Sequence, residues 1–150
     1  MLQKAVTNFD HGELQTWLAH LLTLYRLEAG GRATTEVHTW FEARGYRLPD
    51  VAYWTPEKPR VAPRGYGLPP TLAVQTRSPG NRRGELEEKC EQMSALGVDE
   101  CWLVVPDERA VVVYRAGERV ARFEGPEALR PAALPGFELP LPRLFSVLDQ

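Results

Sequence analysis

Asp50, Gln75 and Lys89 are the residues of this 150-residue chain whose type and setting point most directly to chemistry. Asp50 interrupts an apolar stretch, Leu48 to Trp54, and Gln75 follows Leu72-Ala73-Val74 in a second one. A buried amide left without a hydrogen bond costs about 1–3 kcal/mol, so a polar residue in a core strand asks for a reason. Two oxygen donors at neighbouring strand ends are the ligands that hard cations such as Mg²⁺ take. An exposed edge carboxylate is the plain alternative for Asp50. Arg77, Arg82 and Arg83 cluster just before a helical pattern that contains Lys89. Helix N-termini favour anions, and guanidinium groups fork onto phosphate. A solvated basic edge facing Glu85, Glu87, Glu88 and Glu91 accounts for the same arginines, and an i, i+4 pair with Glu85 accounts for Lys89.

The elements that must position these residues follow from periodicity. Leu14, Trp17, Leu18, Leu21, Leu22 and Tyr25 recur at helical spacing, after a capping-box pattern at Asp10 and Glu13 and before Gly30-Gly31. An amphipathic helix of about 18 residues is expected there. Thr34 to Phe41 reads as a strand hairpinned to a second strand, Tyr46 to Trp54. Residues 55–70 hold five prolines and two glycines and form a long loop. Thr71 to Arg77 is a third strand, ended by Ser78-Pro79-Gly80-Asn81. Glu85 to Leu96 is a second helix capped by Gly97, and Cys101 to Val105 is a buried strand. A hairpin of Ala110–Tyr114 and Val120–Phe123 follows. The last 25 residues carry five prolines and are expected to wrap the core irregularly, with a short helix near Leu141 to Leu148. The order α-β-β-β-α-β implies one parallel pairing across the second helix, hence a mixed sheet flanked by helices in an α/β (α+β) fold with a C-terminal β-hairpin extension.

Composition bounds the partners. Length suggests one domain spanning 1–150. Net charge is −2, so a polyanion has to be met by a local basic patch. Fifteen arginines stand against three lysines, which suits phosphate recognition and equally follows from GC-rich coding or a thermophilic source. Cys90 and Cys101 are in no CxxC pair and read as small buried apolar residues in a reducing compartment. No basic-then-apolar leader and no apolar run of membrane length occurs, so a cytoplasmic location with no membrane partner is expected. The three histidines form no metal or triad signature. His11, at the start of the first helix, is near enough in the pattern to approach the strand ends, whereas His20 reads as a surface residue.

The segments Leu48-Pro49-Asp50-Val51-Ala52, Leu72 to Pro79, Glu88-Lys89 and Leu96 to Val104 together resemble the bacterial Uma-two family. Those proteins are restriction-endonuclease-like and belong to the PD-(D/E)XK nuclease superfamily. The helix from His11-Gly12-Glu13-Leu14 is similar as well, and the likeness runs from about His11 to Phe145. It implies a core of α-β-β-β-α-β, Mg²⁺ or Mn²⁺ as a weakly bound cofactor, DNA as partner and hydrolysis of phosphodiester bonds. It implies Asp50 as the motif aspartate, Gln75 in the place of a glutamate, and Lys89 as the lysine on the second helix. Asp50 and Gln75 would then be the metal ligands and Arg77, Arg82 and Arg83 the nucleic-acid contacts. His11, Glu13 and Glu85 would be accessory. Gln75 and Val105 both stand where the family carries an acid. A homologue that binds nucleic acid or protein without cutting is the second reading, and a homodimer is expected from the fold alone.

Overall fold

In the computed structural model, residues 6–149 are described. The elements are α1 (Asn8–Ala29), β1 (Arg32–Thr35), β2 (Thr39–Phe41), β3 (Gly45–Arg47), β4 (Val51–Trp54) and β5 (Leu72–Thr76). They continue with α2 (Arg83–Ala95), β6 (Glu100–Val105), β7 (Ala110–Arg115), β8 (Glu118–Phe123), β9 (Ala128–Leu129), β10 (Leu139–Pro140) and α3 (Leu141–Leu144). Six strands form one sheet in the order β1-β4-β5-β6-β7-β8. Only β5 and β6 run parallel, because the crossover through α2 separates them; the other pairs are antiparallel. This is the expected mixed sheet flanked by helices.

The two faces of the sheet are covered by different helices. Leu14, Leu18, Leu21 and Leu22 of α1 pack on Val51, Tyr53, Leu72, Val74, Trp102 and Val104. Leu86, Cys90 and Met93 of α2 pack on Ala73, Cys101, Leu103, Val105 and Val112. The alternation along β5 and β6 sorts these side chains, since successive residues point to opposite faces. Each fully buried leucine contributes about 1.5–3 kcal/mol of burial. The proline-rich tail adds Leu129, Phe137, Leu139, Leu144 and Phe145 to the α1 side. Both cysteines are buried and free. Among the described residues no helix is long and apolar enough to cross a membrane.

Several boundaries differ from those expected. Thr7, not Asp10, is the N-cap of α1; its hydroxyl accepts the Asp10 N–H, and the Asp10 carboxylate accepts the Thr7 N–H. Asp10 is thus the distal partner of a capping box, and the helix has 22 residues. Gly97 does close α2: it adopts φ of 114°, and the Val98 N–H reaches back to the Met93 carbonyl. The expected hairpin of two long strands is split into two layers. β1 pairs with β4 in the main sheet, while β2 and β3 make a separate two-stranded ribbon. The break comes at Glu36, whose φ is 50°, and at Pro49, which has no N–H to give a ladder. His38 consequently lies in the connection between β1 and β2, not on a strand. In the tail, β9 pairs with β10, and the final helix is α3 followed by a 3-10 turn, Phe145–Asp149.

Candidate active site

Asp50 occupies the position immediately before β4, and its place follows from where the ladder stops. The Asp50 N–H donates to the Val74 carbonyl at 3.0 Å, and the next residue back is Pro49. β4 therefore leaves β5 one residue before Thr76, whose backbone groups on that side would be orphaned. Two side chains take their place. Asp50 Oδ2 accepts the Thr76 N–H at 2.7 Å, and His11 Nε2 lies 3.1 Å from the Thr76 carbonyl oxygen, with its ring N–H as donor. His11 Nε2 is also 3.5 Å from Asp50 Oδ2. Asp50 hydrogen-bonded to the ring holds His11 above the ordinary histidine pKa, against the opposing effect of partial burial. The first turn of α1 thus brings an imidazole to the end of the sheet. Asp50 Oδ1 makes no hydrogen bond among the described residues.

Gln75 lies on the adjoining strand. Val51 and Val74 point into the α1 side, so Asp50, Ala52, Ala73 and Gln75 share the α2 face by alternation. Gln75 is 7% exposed, and its amide makes no hydrogen bond among the described residues. It sits beside Leu103 in the parallel register. Unlike the Thr76 hydroxyl and the Arg77 Nε, which are fully buried without a partner among the described residues, the Gln75 amide keeps its polar end open to solvent.

Lys89 is exposed on α2, midway between the buried Leu86 and Met93. It forms no ion pair among the described residues, so the Glu85 pairing expected from sequence is absent. Gln92, one turn further on, accepts a hydrogen bond from Arg47 Nη2 at 3.2 Å. The Lys89 flank of α2 is therefore turned to the β2–β3 ribbon, from which the chain runs directly into Asp50.

The remaining expected residues divide. Arg77 is bound to Asp107 at 3.3 Å, and Arg83 pairs with both Glu87 and Glu108. These two guanidinium groups are neutralised by Asp107 and Glu108 in the β6–β7 turn and by Glu87 one turn along α2. Arg82, the exposed N-cap of α2, carries no such partner among the described residues. Glu85 is exposed in the first turn of α2 and makes no ion pair among the described residues. Glu13 is not with His11: two residues along a helix turn it about 200°, and it lines a groove with Phe9, Trp17, His20 and Val147. Thr76, whose backbone joins Asp50 to His11, was not singled out from sequence; the signal for it is Pro49, which ends the neighbouring ladder.

The donor set fits a hard cation with one charged ligand. Asp50 Oδ1 and the Gln75 side-chain oxygen are free of protein hydrogen bonds, and both belong to oxygen ligands of the kind that Mg²⁺ takes. Among the described residues no group of three or more His, Cys, Asp or Glu side chains gathers for a metal. A unit charge at 4 Å is worth about 4 kcal/mol at an effective dielectric near 20, so an amide in place of a carboxylate weakens such a site by up to about a thousandfold.

The crystal structure of a DUF820 protein from Anabaena variabilis ATCC 29413, titled a "putative nuclease", superposes with a TM-score of 0.81 at 22% identity, covering 98% of this chain and 86% of that one. That likeness is one of fold. The DrdV–DNA complex determined by cryoEM aligns with a TM-score of 0.49 at 18% identity, over 79% of this chain and 10% of that one. No curated protein matches the chain. The Uma2 family, described as "Putative restriction endonuclease", matches residues 1–142. With that span covered and the fold in agreement, the chain belongs to the Uma2 family.

Proposed function

We propose that the protein is a divalent-metal-dependent nuclease that hydrolyses phosphodiester bonds in DNA at the Asp50 end of the sheet. The observation that carries this reading is the pairing of a fixed carboxylate, Asp50, with an amide on the next strand, Gln75, that has no protein partner. Asp50 and Gln75 would hold the Mg²⁺ or Mn²⁺. Such an ion polarises a phosphoryl oxygen and lowers the pKa of a bound water. The Thr76 N–H fixes the Asp50 carboxylate, so its free oxygen is aimed from the rigid edge of β5 rather than from a loop. Lys89, unpaired on the facing flank of α2, neutralises the scissile phosphate or orients the attacking water. Arg82 contacts the backbone; Arg77 and Arg83 contribute only after exchanging Asp107, Glu87 and Glu108 for phosphate. The test is plasmid nicking in Mg²⁺ and in Mn²⁺ by wild type and Asp50→Ala. Activity lost in the variant supports the reading, and equal inertness of both proteins in both metals sinks it.

A second reading, a homologue that binds DNA without cutting, is favoured by one specific observation. The site has a single carboxylate, and two of the three expected phosphate-binding arginines are tied to acids. Salt-sensitive binding without cleavage supports it, because phosphate contacts release counterions.

A further inference from the structure

The β2–β3 ribbon and the long loop carry a cluster of partly exposed aromatic rings packed edge-to-face. Trp40 and Tyr46 are direct cross-strand partners, and their ring centroids lie 5.1 Å apart. Tyr66 from the long loop stands 5.5 Å from Tyr46, and His38 stands 6.2 Å from it. Alternation explains why they face out: Thr39 and Phe41 point into the core, so Trp40 points to solvent. Trp40 is 37% exposed and Tyr46 49%. The indole N–H groups of Trp17, Trp54 and Trp102 each donate to a protein oxygen, whereas that of Trp40 donates to none among the described residues. The same holds for the hydroxyls of Tyr46 and Tyr66, in contrast to Tyr25 and Tyr53.

The charge around these rings is one-sided. Residues 38–48 and 60–68 contain Arg44, Arg47, Arg60 and Arg64 against Glu42, in a chain of net charge −2. None of these four arginines meets a carboxylate among the described residues, unlike Arg77, Arg83, Arg109, Arg115, Arg122 and Arg130. Arg47 is held by the Arg44 and Tyr46 carbonyls and by Gln92, so its charge is positioned and uncompensated. Only Leu48 and Pro49 separate it from Asp50.

Exposed rings interleaved with unpaired arginines suit a polyanion whose bases offer free π-faces. We infer that the Trp40–Tyr46–Tyr66 cluster is a stacking platform for unpaired bases, so that the nucleic acid delivered to Asp50 is single-stranded next to the site. The inference rests on the nuclease reading for the strand's destination, and not for its binding. Base-paired DNA keeps its π-faces stacked on one another and presents only edges and phosphates here.

The test is fluorescence anisotropy in EDTA, where no cutting occurs. Probes are an oligothymidylate of about 15 nucleotides, an abasic oligomer of equal charge, and a duplex of equal length. The oligothymidylate is expected to bind about tenfold or more tighter than the abasic oligomer. Trp40→Ala should erase that difference while leaving abasic binding unchanged, and Trp40→Phe, which keeps a ring and the fold, should retain most of it. Equal affinity for thymidylate and abasic probes, or a preference indifferent to Trp40→Ala and Tyr46→Ala, overturns the platform. So does a concentration-dependent dimer that Trp40→Ala dissolves with no base preference to lose, since the rings then cover a second copy. Cleavage is read separately. Asp50-dependent cutting without ring-dependent binding sinks the platform alone, and ring-dependent binding without cutting sinks the nuclease reading alone.

Discussion

Two shielded carboxylates stand at opposite ends of the central strands, and they are treated differently. Glu100 opens β6 opposite Leu72, with its side chain 8% exposed; it accepts the Trp102 indole N–H at 2.6 Å, and Arg115 lies 3.6 Å away. Burial raises its pKa above the ordinary glutamate value, and the indole and the arginine offset part of that rise. Asp50 lies at the other end, 16% exposed, with one oxygen fixed by the Thr76 N–H and beside His11, and the other without a hydrogen bond. Its neighbour on the next strand is an amide with no hydrogen bond among the described residues, where Glu100 has a donor. The core carboxylate Glu100 is closed by its neighbours, whereas Asp50 is held from behind and open in front, as the proposed ligand role requires. Burial alone does not separate them, and the number of committed lone pairs does.

This contrast is open to experiment, beginning with the largest effect. Asp50→Ala should remove metal-dependent cleavage by about a thousandfold or more, the size set by one lost unit charge near a cation. The corresponding change at the closed end, Glu100→Gln, should leave cleavage within a few-fold in the same nicking assay; a large loss there would erase the distinction. Gln75→Glu should strengthen Mn²⁺ binding in calorimetry, by up to about a thousandfold. No gain, with the fold intact by circular dichroism, would remove Gln75 from the ligand set.

Smaller effects concern stability. Because the folded Glu100 pKa is raised, its contribution to stability is fully present below the ordinary glutamate value and is lost as pH rises through the raised one. Glu100→Gln should therefore raise the melting temperature relative to wild type more at pH 7.5 than at pH 4. The opposite ordering would mean that the Trp102 and Arg115 contacts outweigh desolvation. Smallest of all is Lys89→Ala: with no ion pair to lose, its unfolding free energy should stay within about 0.5 kcal/mol of wild type while cleavage falls. A substantial loss of stability would make Lys89 a structural residue.

The order of the core elements was legible because each carries a strong local pattern. Leu14 to Tyr25 repeats at helical spacing, Cys101 to Val105 is uniformly apolar, and Gly97 marks a helix end. Asp50 and Gln75 were visible as polar intrusions for the same reason. What sequence did not reveal depends on non-local pairing. Whether Thr34–Phe41 is one strand or two is decided by a backbone turn at Glu36 and by the gap at Pro49. Periodicity also does not tell which arginine is neutralised, and Arg77 and Arg83 meet Asp107 and Glu108 only after β6 and β7 come together. Glu13 was named with His11 as an accessory residue on the strength of the family resemblance, yet helical geometry turns it to the other side.

The segment from Thr55 to Thr71 that joins β4 to β5 has a meaning in chain entropy. Closing it costs little more than closing a shorter one, since each doubling of a flexible loop adds only about 0.6 kcal/mol. Its length is therefore nearly neutral for the sheet it interrupts. It is nonetheless fastened at many points. Lys58 Nζ donates to the Pro70 and Gly97 carbonyls, the Trp54 indole to the Leu68 carbonyl, and the Gly67 carbonyl accepts the Trp40 N–H at 2.9 Å. Such a segment gives up much of its conformational freedom on folding and has less to lose when something lands on it. Tyr66 thus meets an incoming ring already ordered, and a deletion that keeps the sheet intact but frees this segment would show itself in affinity before it showed itself in stability.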